Sequence, residues 1–220
     1  MTNETKVLVN YRRMRNLRRC NNYPLINSID VAQHSYNVTV LAMVFADEYN
    51  ISAADKNAEF HPFDVENQLN LAVTEEVLRK AILHDTDEVV TGDIFWTVKH
   101  HTPEFNREVS KVTEEISEHV YQDTSTIFRQ YQEWSHGCKD GLEGAIVDMA
   151  DMVELALFCL EELSIGNSNI RPLYDKAVSL LPEKRLFNEL MELSPTFNDI
   201  YSILIDVDEN KEKLSELYVM

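Results

Sequence analysis

Residues 74–93 read TEEVLRKAILHDTDEVVTGD, and this stretch decides the fold. Thr74 followed by Glu75 and Glu76 is a helix start, with the acids at the positive end of the helix dipole. Val77, Leu78, Ala81 and Ile82 then recur at helical spacing, and Gly92 supplies a stop. His84 and Asp85 stand inside this apolar helix. An ionised carboxylate buried without a partner is strongly destabilising. An apolar helix that carries a His-Asp pair inward therefore needs something for the pair to hold.

Two other segments share the pattern. Asp30, with Gln33 three residues later, forms a capping box. The helix it opens runs to about Tyr49 and is apolar on nearly every side (Val38, Val40, Leu41, Met43, Val44, Phe45), so it is predicted to be a central buried helix. His34 lies in its first turn. A third helix is predicted from Leu142 to Ile165, ended by Gly166-Asn167. It carries Asp148 and Asp151 ahead of Val153, Leu155, Leu157 and Phe158. Taken alone, Asp148, Asp151 and Glu154 also fit a solvated stripe.

Around these helices, residues 4–19 read as a basic first helix and Asn21–Ser28 as a loop. Residues 51–70 are polar, contain Pro62 and read as an insertion or loop. Thr102-Pro103 starts a helix whose Phe105, Val109, Val112, Ile116 and Val120 form one amphipathic stripe. That stripe fits core packing first and an interface second. Further helices are expected near 172–193 and 196–205. The fold class is all-α, a helical bundle in a single domain over residues 1–220, with its core at about 5–195 and a polar tail at about 206–220. Only 5 Gly and 6 Pro in 220 residues favour long helices over the many turns of an all-β fold.

Composition excludes several functions. The net charge of −18 argues against a general nucleic-acid binder, because phosphate backbones are repelled. An anionic small-molecule substrate needs a local basic patch, and Arg12, Arg13, Arg15, Arg18 and Arg19 form the one dense run. Cys20, Cys138 and Cys159 are widely spaced and form no CxxC, which suits a reducing cytoplasm and argues against a disulfide framework or zinc-thiolate site. The longest apolar run, Val40–Ala46, is too short to span a bilayer. There is no Walker loop, GxGxxG or GxSxG.

His34, His84, Asp85 and a later helical aspartate, Asp148 or Asp151, together make an N/O ligand set for Mn, Co, Ni, Fe or Zn. Neighbouring helical residues differ by about 100°, so His84 and Asp85 can flank one ion. Glu88 follows His84 by four residues and Asp85 by three, which places it over the same face to hold or deprotonate a water. Each residue by itself has an ordinary explanation, a hydrogen-bonded core histidine or a surface acid. The coincidence in the three most apolar helices favours a shared ion without deciding between the two readings.

The order Val31-Ala32-Gln33-His34-Ser35, then His84-Asp85-Thr86-Asp87-Glu88-Val89-Val90-Thr91-Gly92-Asp93, then Ala150-Asp151 and Cys159–Asn167 resembles the HD-domain 5′-deoxynucleotidases of bacteria. Phage dATP triphosphohydrolases share this layout. The resemblance implies an HD-domain helical bundle holding one divalent ion (Co, Mn, Ni, Fe, Zn or Mg) on His34, His84, Asp85 and Asp151. It implies that Glu88 orients the attacking water and that Asp93 helps hold the deoxynucleotide or the catalytic geometry. It also implies an arginine before the first histidine on the 5′-phosphate. Counting back from His34 puts that role on Arg19, with Arg18 beside it; aligning Tyr23-Pro24-Leu25 with a family Trp-Pro-Leu puts Asn22 there, which has no charge. The sugar-packing aromatic then falls on Cys20 or Tyr23. Lys99 matches a lysine after the T-G-D block, and Trp96 is placed to stack on a base, with a core aromatic the commoner reading.

Two substrates remain open on this reading, a deoxynucleoside monophosphate releasing phosphate or a triphosphate such as dATP releasing triphosphate. A non-catalytic helical nucleotide-binding or regulatory protein is the alternative from another class. The expected partners are a deoxynucleotide and further copies of the chain, as a dimer or larger assembly, with no nucleic acid and no membrane. Ser35 is the one candidate nucleophile, and a helix-surface hydroxyl is its commoner reading.

Overall fold

The computed structural model describes residues 2–60, 65–94, 102–121, 123–124 and 141–206. Among these there is no β-strand, only a single antiparallel bridge between Arg18 and Asp30. The helices are α1 (Asn3–Tyr11), α2 (Val31–Glu59), α3 (Thr74–Leu83), α4 (Glu88–Thr91), α5 (Pro103–Tyr121), α6 (Gly141–Ser164), α7 (Arg171–Leu180), α8 (Phe187–Leu193) and α9 (Pro195–Ile205).

The central helix is α6. Ala145, Ile146, Val147, Met149, Ala150, Met152, Val153, Ala156, Phe158, Cys159, Leu160 and Leu163 are all buried, which takes in every side of the helix. It packs on α2, α3 and α7. Each large apolar side chain so buried contributes roughly 1.5–3 kcal/mol. Gly166, with φ +96°, ends the segment in the left-handed region that glycine adopts without strain.

Helix α2 differs from its expected form in two ways. Only one face is buried, through Val38, Ala42, Phe45, Ala46, Tyr49 and Ala53; Val40 and Met43 lie on the solvent side with Tyr36. It also continues ten residues past Tyr49, so the first part of the supposed 51–70 insertion is helix. Tertiary anchors explain the extension. Ala53 enters the core, Ser52 Oγ donates to the Leu193 carbonyl (2.8 Å), and Asn57 exchanges hydrogen bonds with Leu69 N (2.7 Å) and Leu69 O (2.8 Å). The capping box at its start is present: Gln33 N donates to Asp30 Oδ1 (2.8 Å) and Asp30 N to Gln33 Oε1 (3.1 Å). Such a cap stabilises a helix by about 1 kcal/mol.

Four other expectations are corrected. The first helix is shorter than 4–19: α1 tightens into a 3-10 turn at Arg12–Asn16, and the chain then extends so that Arg18 pairs with Asp30. Helix α3 stops at Leu83, so His84 and Asp85 leave its C-terminal end rather than sitting within it; a turn leads to the single-turn α4, closed by Gly92 at φ +72°. The α5 stripe is not core, since Phe105 and Val112 are exposed and Val109 and Ile116 are half-buried. Pro182 divides the expected 172–193 helix into α7, a 3-10 turn and α8. No helix among the described residues is long and apolar enough to cross a membrane.

Candidate metal and phosphate site

The N-terminal turn of α2, the exit of α3 and the middle of α6 meet at one point. His34 Nε2 lies 3.1 Å from Asp151 Oδ1 and 3.5 Å from Asp85 Oδ2. His84 Nε2 lies 3.2 Å from Asp85 Oδ2 and 3.9 Å from Asp151 Oδ1. The two Nε2 atoms are 3.3 Å apart. Both imidazoles are buried, while the two aspartates are partly exposed at the mouth of the site.

The outer face of each ring fixes what the inner face offers. His84 Nδ1 is 2.7 Å from the Ala81 carbonyl, which only accepts, so Nδ1 donates and Nε2 presents a lone pair. His34 Nδ1 donates to Glu154 Oε2, and Asn37 Nδ2 donates to Glu154 Oε1 (3.3 Å). Two lone pairs so close to each other are stable only around a proton or a cation. The acids express the same demand. Burial and Arg19 work against charge on His34, yet Glu154 and Asp151 outweigh them and raise its pKa to about 9. Two imidazole nitrogens and two carboxylates in this arrangement fit a divalent transition ion. His34, His84 and Asp151 each offer a ligand atom within 4.8 Å of the others, and Asp85 Oδ2 adjoins both nitrogens.

Arg19 brings positive charge to the mouth. Its Nη1 is 2.5 Å from Asp85 Oδ2, and its charge is held by Asp85, Asp151, Glu88 and Asp93 against the cost of burial. Its backbone is fixed on both sides: Arg19 N donates to the Ile29 carbonyl (3.0 Å), and Cys20 N donates to Asp93 Oδ2 (3.1 Å). Cys20 has φ +52°, which swings the chain away immediately after the arginine. Glu88 opens α4 with Oε2 buried and, among the described residues, without a hydrogen-bond partner. Burial, then Asp85, raise its pKa to about 10, with Arg19 opposing. Burial also raises the pKa of Asp93.

His34, His84, Asp85, Asp151, Glu88, Asp93 and Arg19 are therefore brought together. Arg18 is not. It lines an open recess of about 380 Å³ with Arg15, Asp30 and Gln33, a recess that Arg19 does not line. Tyr23 is half-buried against the main core. Trp96 and Lys99 lie outside the described residues. Asp148 pairs with Lys184 at 2.8 Å, away from the site. Ser35 is buried, not on the helix surface.

Sequence reasoning missed Glu154, which reads there as part of a solvated stripe but is 5% exposed and holds His34. The available signal was its spacing of one helical turn from Asp151. Outer partners of metal-binding histidines typically govern affinity by about ten- to hundredfold. Glu154→Ala is expected to weaken Mn²⁺ binding by roughly that factor in a calorimetric titration. Unchanged affinity would remove Glu154 from the site.

Comparison with known proteins gives a consistent picture. A family model described as 5′-deoxynucleotidase YfbR-like matches residues 7–193. A 5′-deoxynucleotidase of Vibrio parahaemolyticus is 30% identical over 84% of this chain and 89% of its own length. One from Photorhabdus temperata is 30% identical over 69% of this chain and 72% of its own. An HD-domain phosphohydrolase from Listeria innocua has a similar structure, with a TM-score of 0.68 at 23% identity, covering 95% of this chain and 98% of that one. The cyanophage S-2L HD phosphohydrolase DatZ, solved with dA and one catalytic Zn²⁺, aligns with a TM-score of 0.51 at 14% identity over 93% and 96% of the two chains.

Proposed function

Because the chain belongs to the YfbR-like 5′-deoxynucleotidase family, we propose that it hydrolyses deoxynucleoside 5′-monophosphates to the deoxynucleoside and orthophosphate, using a divalent ion on His34, His84, Asp85 and Asp151. The observation that carries this reading is the meeting of those four side chains from three helical segments beside Arg19 and Glu88. The name 5′-deoxynucleotidase carried by the relatives supports choosing the monophosphate for this reading.

When bound, the ion supplies Lewis acidity toward a phosphoryl oxygen and toward water. Glu88 takes the proton of the attacking water at its buried carboxylate. Water oxygen joins phosphorus, the bond from phosphorus to the sugar 5′ oxygen breaks, and a proton ends on that oxygen. Arg19 opposes negative charge on the phosphate oxygens. Asp93 acts through Cys20 N, holding the backbone next to Arg19. Tyr23 and Lys99 remain substrate contacts on the resemblance alone and Trp96 on its aromatic ring; Arg18, which lines a different recess, is not among them.

The test is product analysis of dAMP, dCMP, dGMP, dTMP and dATP with Mn²⁺, Co²⁺, Zn²⁺ and Mg²⁺. The expected result is orthophosphate from monophosphates with at least one ion. Triphosphate from dATP with no orthophosphate from dAMP would replace this reading with a triphosphohydrolase. Inertness toward every substrate would leave the non-catalytic alternative.

A further inference from the structure

One carboxylate of α6 is taken wholly out of water and has no part in the chemistry above. Glu162 is 0% exposed. Its Oε2 accepts from Ile26 N (2.8 Å) and from Asn167 Nδ2 (2.6 Å), and its Oε1 accepts from Asn27 N (2.7 Å). Asn167, also buried, donates from the same Nδ2 to the Pro24 carbonyl (2.8 Å). The segment held this way is the loop joining Arg19 to the cap of α2, and hence to His34. Its two ends are zipped together by Arg19 N to the Ile29 carbonyl (3.0 Å) and Val31 N to the Leu17 carbonyl (2.9 Å). Glu162 and Asn167 grip the far end of the same loop.

We propose that Glu162, assisted by Asn167, is a positioning residue for phosphate binding: it pins the loop so that Arg19 is presented to the site in one place. The geometry separates this role from metal binding. Glu162 lies eleven residues after Asp151 on the same helix, about 16 Å along its axis. At eleven residues the two side chains return to nearly the same face. A single face of α6 thus addresses both the ion site and the phosphate loop. A buried carboxylate with three N–H donors is a strong restraint, because leaving those donors unpaired is costly. Gln at this position would turn an amide N–H₂ toward at least one of them.

The inference rests on the proposed hydrolysis, and its test has an arm that does not. In the full-length protein loaded with Mn²⁺, Glu162→Gln is expected to raise the KM for dAMP about tenfold, with kcat and Mn²⁺ affinity changed less than about threefold. Orthophosphate binding, measured by calorimetry on the same samples, should weaken by a similar factor. If Glu162→Gln does not fold, Asn167→Ala provides the same comparison with a smaller expected shift. Unchanged KM and unchanged orthophosphate affinity would overturn the proposal, as would losses of kcat and Mn²⁺ affinity that track KM. If the wild-type protein turns over no deoxynucleotide, the proposed function fails. The orthophosphate arm then decides the positioning role: weakening supports it, and constancy rejects it.

Discussion

His84→Ala is expected to reduce kcat/KM by at least about a thousandfold, because an ion's Lewis acidity supplies several kcal/mol and each 1.4 kcal/mol is a factor of ten. Its Nε2 faces both His34 Nε2 and Asp85 Oδ2, so its loss removes a ligand and leaves Asp85 and Asp151 with one imidazole between them. Mn²⁺ affinity should fall along with activity. The variant should still fold, because His84 terminates α3 rather than filling its interior; the core around α6 does not depend on it. Calorimetric titration and a thermal melt check this pair of outcomes. Near-normal turnover by a folded His84→Ala protein would mean that the imidazole does not serve the reaction.

Glu88→Gln separates proton transfer from ion binding. Positioned general bases contribute roughly a hundred- to ten-thousandfold, so kcat is expected to fall within that range. The ligand atoms of His34, His84 and Asp151 lie together without Glu88, so Mn²⁺ affinity should hold within about threefold. The side chain's environment supports the assignment. Its Oε2 is buried without a hydrogen-bond partner among the described residues, and burial together with Asp85 makes its proton hard to lose. A cation held beside Asp85 would oppose that shift and favour the charged, proton-accepting form. A parallel collapse of Mn²⁺ affinity would make Glu88 a ligand instead. Full activity would remove it from the mechanism.

Local chemistry made much of this molecule readable. Asp30 and Gln33 announce the start of α2 and Gly166 the end of α6, and acids and imidazoles set in or beside apolar segments mark His34, His84 and Asp151 as candidates for one site. What escaped depends on contacts distant in sequence. Nothing within residues 50–59 signals that Ser52 and Asn57 will bond to Leu193 and Leu69, so a polar stretch that is helix reads as a loop. Glu154 and Glu162 look like surface acids until their partners, His34 and the amides of Ile26 and Asn27, arrive from more than a hundred residues away. The α5 stripe failed for the opposite reason: its periodicity is clear, but periodicity alone does not say what covers it. Arg18 and Arg19 are alike in sequence. The extended backbone between them sends one to an open recess and the other to Asp85.

The central claim is that one ion sits among side chains from α2, from the exit of α3 and from α6. Anomalous diffraction from crystals of the Mn²⁺-loaded protein tests it most directly. The account predicts a single dominant peak about 2.0–2.3 Å from His34 Nε2, His84 Nε2, Asp85 and Asp151, with Glu88 beyond direct bonding distance. A peak elsewhere, or none at saturating Mn²⁺, would contradict it.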